Sequence, residues 1–493
     1  VEALRIAWSS DPTTLDPALV VDVVGSSAAA LLWEGLVTFD ADGRPAPALA
    51  SRWELSADGL EYRFAIDENA RASDGSRLGA SDVAASFRRL LDPATASPRA
   101  WVLERIEGAA EFRDRKTDSV AGLSVDAEGL LVIRLTEPSA SFLGLLAMPN
   151  AGVLPAGRCD PARASTGPWV LVEHVRDSHL LFRANPHWHG QAPGFRELRV
   201  RILPEEFTRV AEFEVGNLDV LEVPASASKR LSEGEHAARV HRQVALVTEY
   251  VGLNNDDPVL RDPRVRRALN HAVDVDLILE AVLGGRGVRA AGAVPPSLPG
   301  GGGGTPYAHD PALARRLLDE AGVPADWTLT LWQRPSPLGS QVLEAIQADL
   351  ARLGVHAEIR LRDWNALKAA IDRGEPQAFF INWYADYPDA ENFLVPLFHS
   401  SNIGGGGNRA RFRDPEVDRD LERLDREADS VRRAALARDL DRRILERAPW
   451  IYLWHPVLEV AVAERIAGFR PHPVPSCERW LDVRLAAGAP GTS

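Results

Sequence analysis

Alternation of apolar and polar positions marks short strands through the first half of the chain, whereas the second half interleaves strands with helices. In the first half the period-two pattern predicts strands at residues 4–8, 62–66, 130–135, 169–172, 180–183 and 197–202, with a turn-rich stretch at 9–17 after the first. Residues 81–91 predict a helix with Ser81 as its cap.

From Asp262 onward the helix signals become explicit. Asp262 caps, Pro263 takes the first helical position, and Val265, Leu269 and Val273 recur every four residues on one face. Asp310 and Pro311 repeat that opening, with Leu313, Leu317 and Leu318 inward and Gly322 closing the helix. A strand at 328–333, a helix at 341–353 ended by Gly354, a strand at 355–361, a helix at 365–372 and a strand at 378–384 then complete a βαβαβ series. Crossovers of that kind imply parallel pairing. Residues 431–447 predict a charged helix with Leu436, Leu440, Ile444 and Leu445 on its apolar side and a solvated opposite face.

Where the buried strand 378–384 runs out, the chain reads Asn382-Trp383-Tyr384-Ala385-Asp386-Tyr387. Ligands of open α/β sheets collect beyond the carboxyl ends of strands, and a carboxylate among aromatic faces suits a primary ammonium group. Asp386 is therefore the first candidate site residue, with Trp383 and Tyr384 beside it.

The scaffold must be large, since 493 residues make two to four domain-sized units. A composition of 45% hydrophobic and 26% charged residues is that of ordinary globular protein and argues against long disordered stretches. The net charge of −14 disfavours a nucleic-acid or anionic-membrane surface, because the long-range field repels phosphates. Core filling accounts for most of the thirteen tryptophans, and an excess of aromatics also suits a protein that encloses ligands. No apolar run reaches the ~20 residues that span a bilayer, and the chain starts at Val1 without a basic and apolar leader, as an exported protein stripped of its signal would. Cys159 and Cys477 lie far apart and leave one disulfide or two buried thiols equally open.

Motifs of catalysis are fragmentary. Ser226-Ala-Ser-Lys229 lacks the Lys-Thr-Gly and Ser-Asp-Asn that would accompany it in penicillin-recognising enzymes. His187-Trp188-His189 has no third ligand for a metal and reads as an exposed loop pair. Asp40-Ala-Asp42-Gly43 lacks the closing glutamate of a calcium loop and reads as a hairpin turn. The runs Gly300 to Gly304 and Gly404 to Gly407 lack the Lys-Ser/Thr of a P-loop and read as flexible surface loops. No catalytic residue, metal site or cofactor is assigned, and the chain is expected not to be an enzyme.

An ordered series of fragments spans nearly the whole chain. It runs through Leu15-Asp16-Pro17, Trp33-Glu34-Gly35-Leu36-Val37, Pro47-Ala48-Leu49-Ala50, Ser73-Asp74-Gly75, Thr166-Gly167-Pro168-Trp169, Asn185-Pro186-His187-Trp188, Gly216-Asn217-Leu218-Asp219, Val265-Arg266-Arg267-Ala268-Leu269 and the Asp386 segment. In order and spacing these resemble solute-binding protein family 5, the dipeptide-, oligopeptide- and nickel-binding proteins of ABC importers.

That resemblance implies an α/β, two-lobed periplasmic-binding-protein-like clamp (class II, cluster C) with an additional domain on the first lobe. The implied division is 1–37, 165–250 and 466–493 for lobe I, 38–164 for the extra domain and 251–465 for lobe II. It implies that Asp386 pairs with a peptide's α-ammonium and that Trp364 and Trp383 border side-chain pockets. Val23, in the loop after the first strand, would meet ligand backbone from the other lobe, with Asp22 beside it. Where oligopeptide binders carry basic residues for the peptide carboxylate, this chain has Ile371 and Phe380. The implied partners are a small solute, foremost a short peptide, and an ABC permease, for a monomer in the periplasm or outside the cell, with a lipid anchor left open. Alternatives are a non-peptide solute (nickel chelate, haem, opine or oligosaccharide), a sensory or regulatory binding protein, or a hydrolase.

Overall fold

The structure is a computed structural model that describes residues 3–234 and 236–487. The chain forms two compact units, one of residues 1–243 and 459–493 and one of residues 244–458, so the backbone passes between them twice.

In the first unit β1 (Ala3–Trp8) precedes a helix at Val23–Leu32, the hairpin β2 (Val37–Phe39) and β3 (Pro45–Pro47), and four antiparallel strands. These are β4 (Ala50–Leu55), β5 (Glu61–Ile66), β6 (Leu123–Val125) and β7 (Leu131–Arg134), in the order β4-β5-β7-β6. The turn at Asp40 to Gly43 joins β2 to β3, as its sequence indicated, and the Asp40 carboxylate accepts from the backbone N–H of Asp42 and Arg44. β8 (Trp169–Val175), β9 (His179–Ala184) and β10 (Glu197–Ile202) make a second sheet ordered β1-β10-β9-β8, in which only the β1–β10 pairing is parallel. Its apolar face, with Leu4, Ile6, Leu180, Phe182, Leu198 and Val200, packs with Ala29, Leu32 and Trp33 of the helical segment.

The helix Ala80–Leu91 begins one residue before the position that Ser81 marked. Gly79 is its cap, and the Asp82 carboxylate reaches back to the Gly79 N–H at 2.9 Å. Helix Val23–Leu32 has no sequence counterpart in the prediction, because its valines, glycine, serines and alanines offer little apolar–polar contrast.

β11 (Val220–Glu222) and β12 (Val240–Val244) close the first long segment of this unit. Just before β11, Asp219 is fully buried and takes a hydrogen bond from the Arg5 backbone N–H at 2.7 Å, from the Arg5 guanidinium at 2.7 Å, and from Arg465 Nε at 2.7 Å. One carboxylate thus ties β1, the approach to β11 and the returning C-terminal segment together. The two cysteines are free thiols, both driven up to about 12 mainly by burial.

In the second unit β13 (Val247–Leu253), β14 (Gly287–Arg289), β15 (Thr328–Gln333), β16 (His356–Leu361), β17 (Ala378–Tyr384) and β18 (Trp450–Val462) form a sheet ordered β18-β13-β17-β15-β16, with β14 on β18. β15 is parallel to both β16 and β17, as the βαβαβ pattern requires. β13 is antiparallel to β17 and β18. Asp262 caps Pro263–Ala272, Asp310 caps Pro311–Ala321, and Gly322 ends the latter in the left-handed region at φ 67°. The next helix, Pro337–Arg352, starts four residues earlier than its apolar periodicity indicated, because the Ser336 hydroxyl accepts from the Gly339 N–H and Pro337 fills the first turn. One face of the sheet, with Val251, Leu253, Leu329 and Leu331, packs against Val342, Leu343, Ile346 and Leu350 of that helix.

The glycine run at 300–304 is no flexible surface loop. A Cβ at Gly303 would stand 2.3 Å from Arg438 Cγ, and one at Gly304 would stand 2.3 Å from the Ala291 carbonyl oxygen, so the run lets backbone lie directly on its neighbours. Among the described residues no helix is long and apolar enough to cross a membrane.

Asp219→Ala leaves two arginines facing a buried space without their shared carboxylate and is expected to cost about 3–5 kcal/mol of stability. Urea denaturation of the variant checks this, and a loss under 1 kcal/mol would show that the clasp is not structural.

Candidate functional site

Parallel strands joined by crossovers on either face of a sheet deliver all their outgoing loops to one edge. In the second unit that edge receives Arg334 after β15, Trp364 as the third residue after β16, and Ala385 and Asp386 after β17. Side chains alternate along β17, so Asn382 and Tyr384 share one face and Trp383 takes the other. Tyr384 is 61% exposed and Trp364 45% exposed, both unusual for large aromatics and both at this edge. Trp364 is the first residue of helix Trp364–Arg373, which Asp363 caps by accepting from the Ala366 N–H. The Arg334 guanidinium lies over the Trp364 ring at 5.9 Å, within cation–π range.

The segment carrying Asp386 is fixed from behind. Asn392, 2% exposed, accepts from the Asp386 backbone N–H at 3.0 Å and from Trp383 Nε1 at 3.3 Å through the same oxygen. The Ala385 N–H donates to the Leu246 carbonyl at 2.9 Å, extending the β13–β17 pairing by one residue. Below the loop, the Tyr387 hydroxyl donates to Glu391, and Arg433 pairs with Asp389 at 2.9 Å. Burial, with the neighbouring Asp389 and Asp425 charges, pushes Glu391 up to about 7. Asn392 is the residue that sequence reasoning passed over. Its signal was its place six residues after Asp386, as the second residue of helix Glu391–Phe398.

One more ionisable group occupies the edge. Glu249 lies on β13 opposite Asn382, which donates to its Oε1 at 2.9 Å. Burial pushes its carboxyl up to about 7, against the pull of the Asn382 hydrogen bond and of the Arg334 charge. Ile371 and Phe380, the positions at which a basic residue was sought, are occupied by core packing. Ile371 is buried in its helix, and Phe380 packs against the apolar cluster of the sheet. The cations of these loops are Arg334 and Arg362, the latter lying over the Trp332 ring at 5.1 Å.

The remaining candidates belong to the first unit. Val23 is not in a loop but is the first residue of helix Val23–Leu32, and it is 60% exposed. Asp22 is the cap of that helix, accepting from the Gly25 N–H at 2.8 Å and from the Thr13 hydroxyl at 2.8 Å. Its carboxylate is thereby committed to local structure, which suits it to shaping the turn that presents Val23. Asp386, Trp383, Tyr384 and Trp364 thus belong to the second unit, with Asp22 and Val23 in the first.

His187 is exposed as expected, but His189 is not. The His189 side chain is 7% exposed and bonds Glu34 at 2.8 Å, with Asp67 at 3.6 Å on its other nitrogen. Burial opposes its charge, yet the two carboxylates outweigh burial and raise its pKa above the usual imidazole value. Among the described residues no group of three or more metal-ligating side chains is assembled.

Two α/β units sharing an interrupted chain, with a ligand-type edge of aromatics and opposed charges, define a solute-binding protein. The chain belongs to the bacterial extracellular solute-binding proteins, family 5, whose middle-region model matches residues 44–405. It is 30% identical to a probable di/tripeptide-binding protein of Pseudomonas aeruginosa (strain UCBPP-PA14), over 95% of this chain and 93% of that relative. It is 29% identical to heme-binding protein A of Haemophilus influenzae, over 94% of this chain and 88% of the relative. Among solved structures it is similar to HbpA2 from Haemophilus parasuis, with a TM-score of 0.85 and 26% identity over 98% of this chain and all of that one. The fold class is accordingly that of the family's periplasmic binding proteins, which are transport binding proteins rather than enzymes.

Two outcomes follow from this geometry. Asn392→Leu removes the acceptor that two groups share and is expected to cost ~1–3 kcal/mol of stability and to alter Trp383 fluorescence. Unchanged emission and unfolding free energy in the variant would contradict that role. For His189, a folded pKa raised above the unfolded value near 6.5 means that its stabilising contribution is complete below that pH and is lost as pH rises through the folded value. Thermal melts should therefore fall from pH 6.5 upward more steeply in the wild type than in His189→Asn, and parallel curves would exclude the linkage.

Proposed function

We propose that this protein captures short peptides outside the cytoplasm by hinge closure and hands them to the permease of an ABC importer. The observation that carries the reading is the Asp386 segment, a carboxylate among aromatic side chains whose backbone is held by a buried asparagine. A carboxylate so restrained loses little conformational freedom on meeting an ammonium group, and neighbouring aromatic surface strengthens the pair by excluding water. Arg334 offers the opposite charge at the same edge. An ammonium acceptor and a cation together fit a zwitterion, and a short peptide with free termini is one. The di/tripeptide-binding relative is consistent with such a ligand.

In this reading Trp383, Tyr384 and Trp364 form apolar walls for ligand side chains. Val23 and the turn capped by Asp22 supply backbone groups, which an extended peptide satisfies in strand fashion whatever its sequence. The first unit then serves as a lobe of residues 1–37, 165–250 and 466–493 carrying an added domain of residues 38–164, with 251–465 as the second lobe. The separate sheets β4-β5-β7-β6 and β1-β10-β9-β8 support that division. The protein would work as a monomer, outside the cytoplasm as the family's extracellular members do.

A second reading keeps the fold and changes the cargo to haem, and its support is the 29% identity to heme-binding protein A. Haem carries carboxylates but no ammonium group, so it would use Arg334 and leave Asp386 unmatched.

Titration calorimetry separates the two. Asp386→Ala is expected to weaken a free-amine di- or tripeptide by about 3–5 kcal/mol, a factor of hundreds or more, while an N-acetylated peptide binds wild type and variant equally poorly. Unchanged affinity for the free-amine peptide would refute the ammonium assignment, and tight haem binding with no peptide binding would favour the second reading.

A further inference from the structure

Glu249 breaks the pattern of its strand. The positions that share its face along β13, Val247, Val251 and Leu253, are buried and apolar, and Phe380 and Trp454 lie on the same side on the neighbouring strands. A carboxyl there gives up hydration, yet the described residues provide it with one hydrogen bond, from Asn382, and no salt bridge within 4.0 Å. Glu249 is half-buried, so its second oxygen keeps a path to solvent and can accept a hydrogen bond from outside the fold.

Its surroundings indicate what completes it. Asn382 precedes Trp383 and lies two residues before Tyr384, so Glu249 belongs to the edge that carries Asp386. The charged group facing it is Arg334, which follows β15, while Asn382 on β17 and Trp454 on β18 are neutral. Arg334 forms no ion pair with Glu249 and instead lies over the Trp364 ring. Asp386 and Glu249 thus stand at one end of the sheet, on the adjacent strands β17 and β13, while Arg334 and Arg362 follow β15 and β16. A zwitterionic ligand with one ammonium group matches only one of the two carboxylates.

We propose that Glu249 is a specificity-determining residue that accepts a second cationic group, so that the preferred ligands are short peptides bearing a lysine or arginine side chain in addition to a free amino terminus. The inference rests on the peptide reading above and deepens it. A cationic side chain brings the hydrogen-bond donors that the half-satisfied carboxylate lacks, and its aliphatic stem lies against Tyr384 and the apolar end of the strand face. Burial that holds the Glu249 carboxyl near 7 has a further consequence: a cationic ligand favours the ionised form, so its binding releases a proton near neutral pH and tightens as pH rises through about 7.

The test is calorimetry on wild type and Glu249→Gln with pairs of tripeptides in which lysine or norleucine occupies each position in turn against alanine. At one position the wild type is expected to prefer lysine, and the variant to lose about tenfold or more of that preference while its affinity for the norleucine peptides stays within about twofold. Repeating the lysine titration in two buffers of different ionisation enthalpy should reveal proton release in the wild type that the variant lacks. An equal loss for lysine and norleucine peptides would make Glu249 a structural support for Arg334 and overturn the inference, as would the absence of any lysine preference in the wild type. Failure of every peptide to bind would overturn the peptide reading itself, and with it this one.

Discussion

Parallel pairing of β15 with both β16 and β17 is the constraint from which the proposed site derives. Once two crossovers join three parallel strands, the outgoing loops have no choice of edge, and residues scattered over fifty positions of sequence are gathered at one end of a sheet. Arg334, Trp364 and Asp386 follow three different strands. The antiparallel neighbour β13 then enters from the opposite direction and brings Glu249 to the same end through its register with Asn382. The apolar cluster beneath, built on Leu329, Leu331, Val342 and Ile346, keeps the sheet rigid enough for that edge to be presented ready-made.

Rigidity is local as well as global. Asn392 links the Asp386 backbone to the Trp383 indole, and beneath it Tyr387, Glu391, Asp389 and Arg433 form a buried polar set that holds the start of helix Glu391–Phe398. Such networks are costly when incomplete, and this one has most of its groups paired. Asp219 does comparable work in the first unit, where it joins the N-terminal strand to the returning C-terminal segment. A chain that passes twice between two units needs a clasp of this sort, because the first unit is built from two separated stretches of sequence.

Much of this was legible in the sequence, and the exceptions have physical reasons. Caps at Asp262 and Asp310, the glycine stop at Gly322 and the strands on either side of them were readable because each rests on a local interaction. Helix Val23–Leu32 and strand β18 were not, since a small-residue helix and a strand buried along most of its length lack the contrast that periodicity measures. In the site, Asp386 stood out by its aromatic company. Arg334, Glu249 and Asn392 did not, because their significance comes from strand register and cross-chain hydrogen bonds that only the folded sheet creates. His189 looked like a surface residue for the same reason, its partners Glu34 and Asp67 lying more than a hundred positions away.

The proposed solute is a short peptide held by its charged termini. Native mass spectrometry of the purified protein, followed by denaturing release and identification of what comes off, tests it most directly. The account predicts a mixture of short peptides with free amino termini. A single non-peptide solute, haem included, would contradict it while leaving the fold and the sheet edge as described.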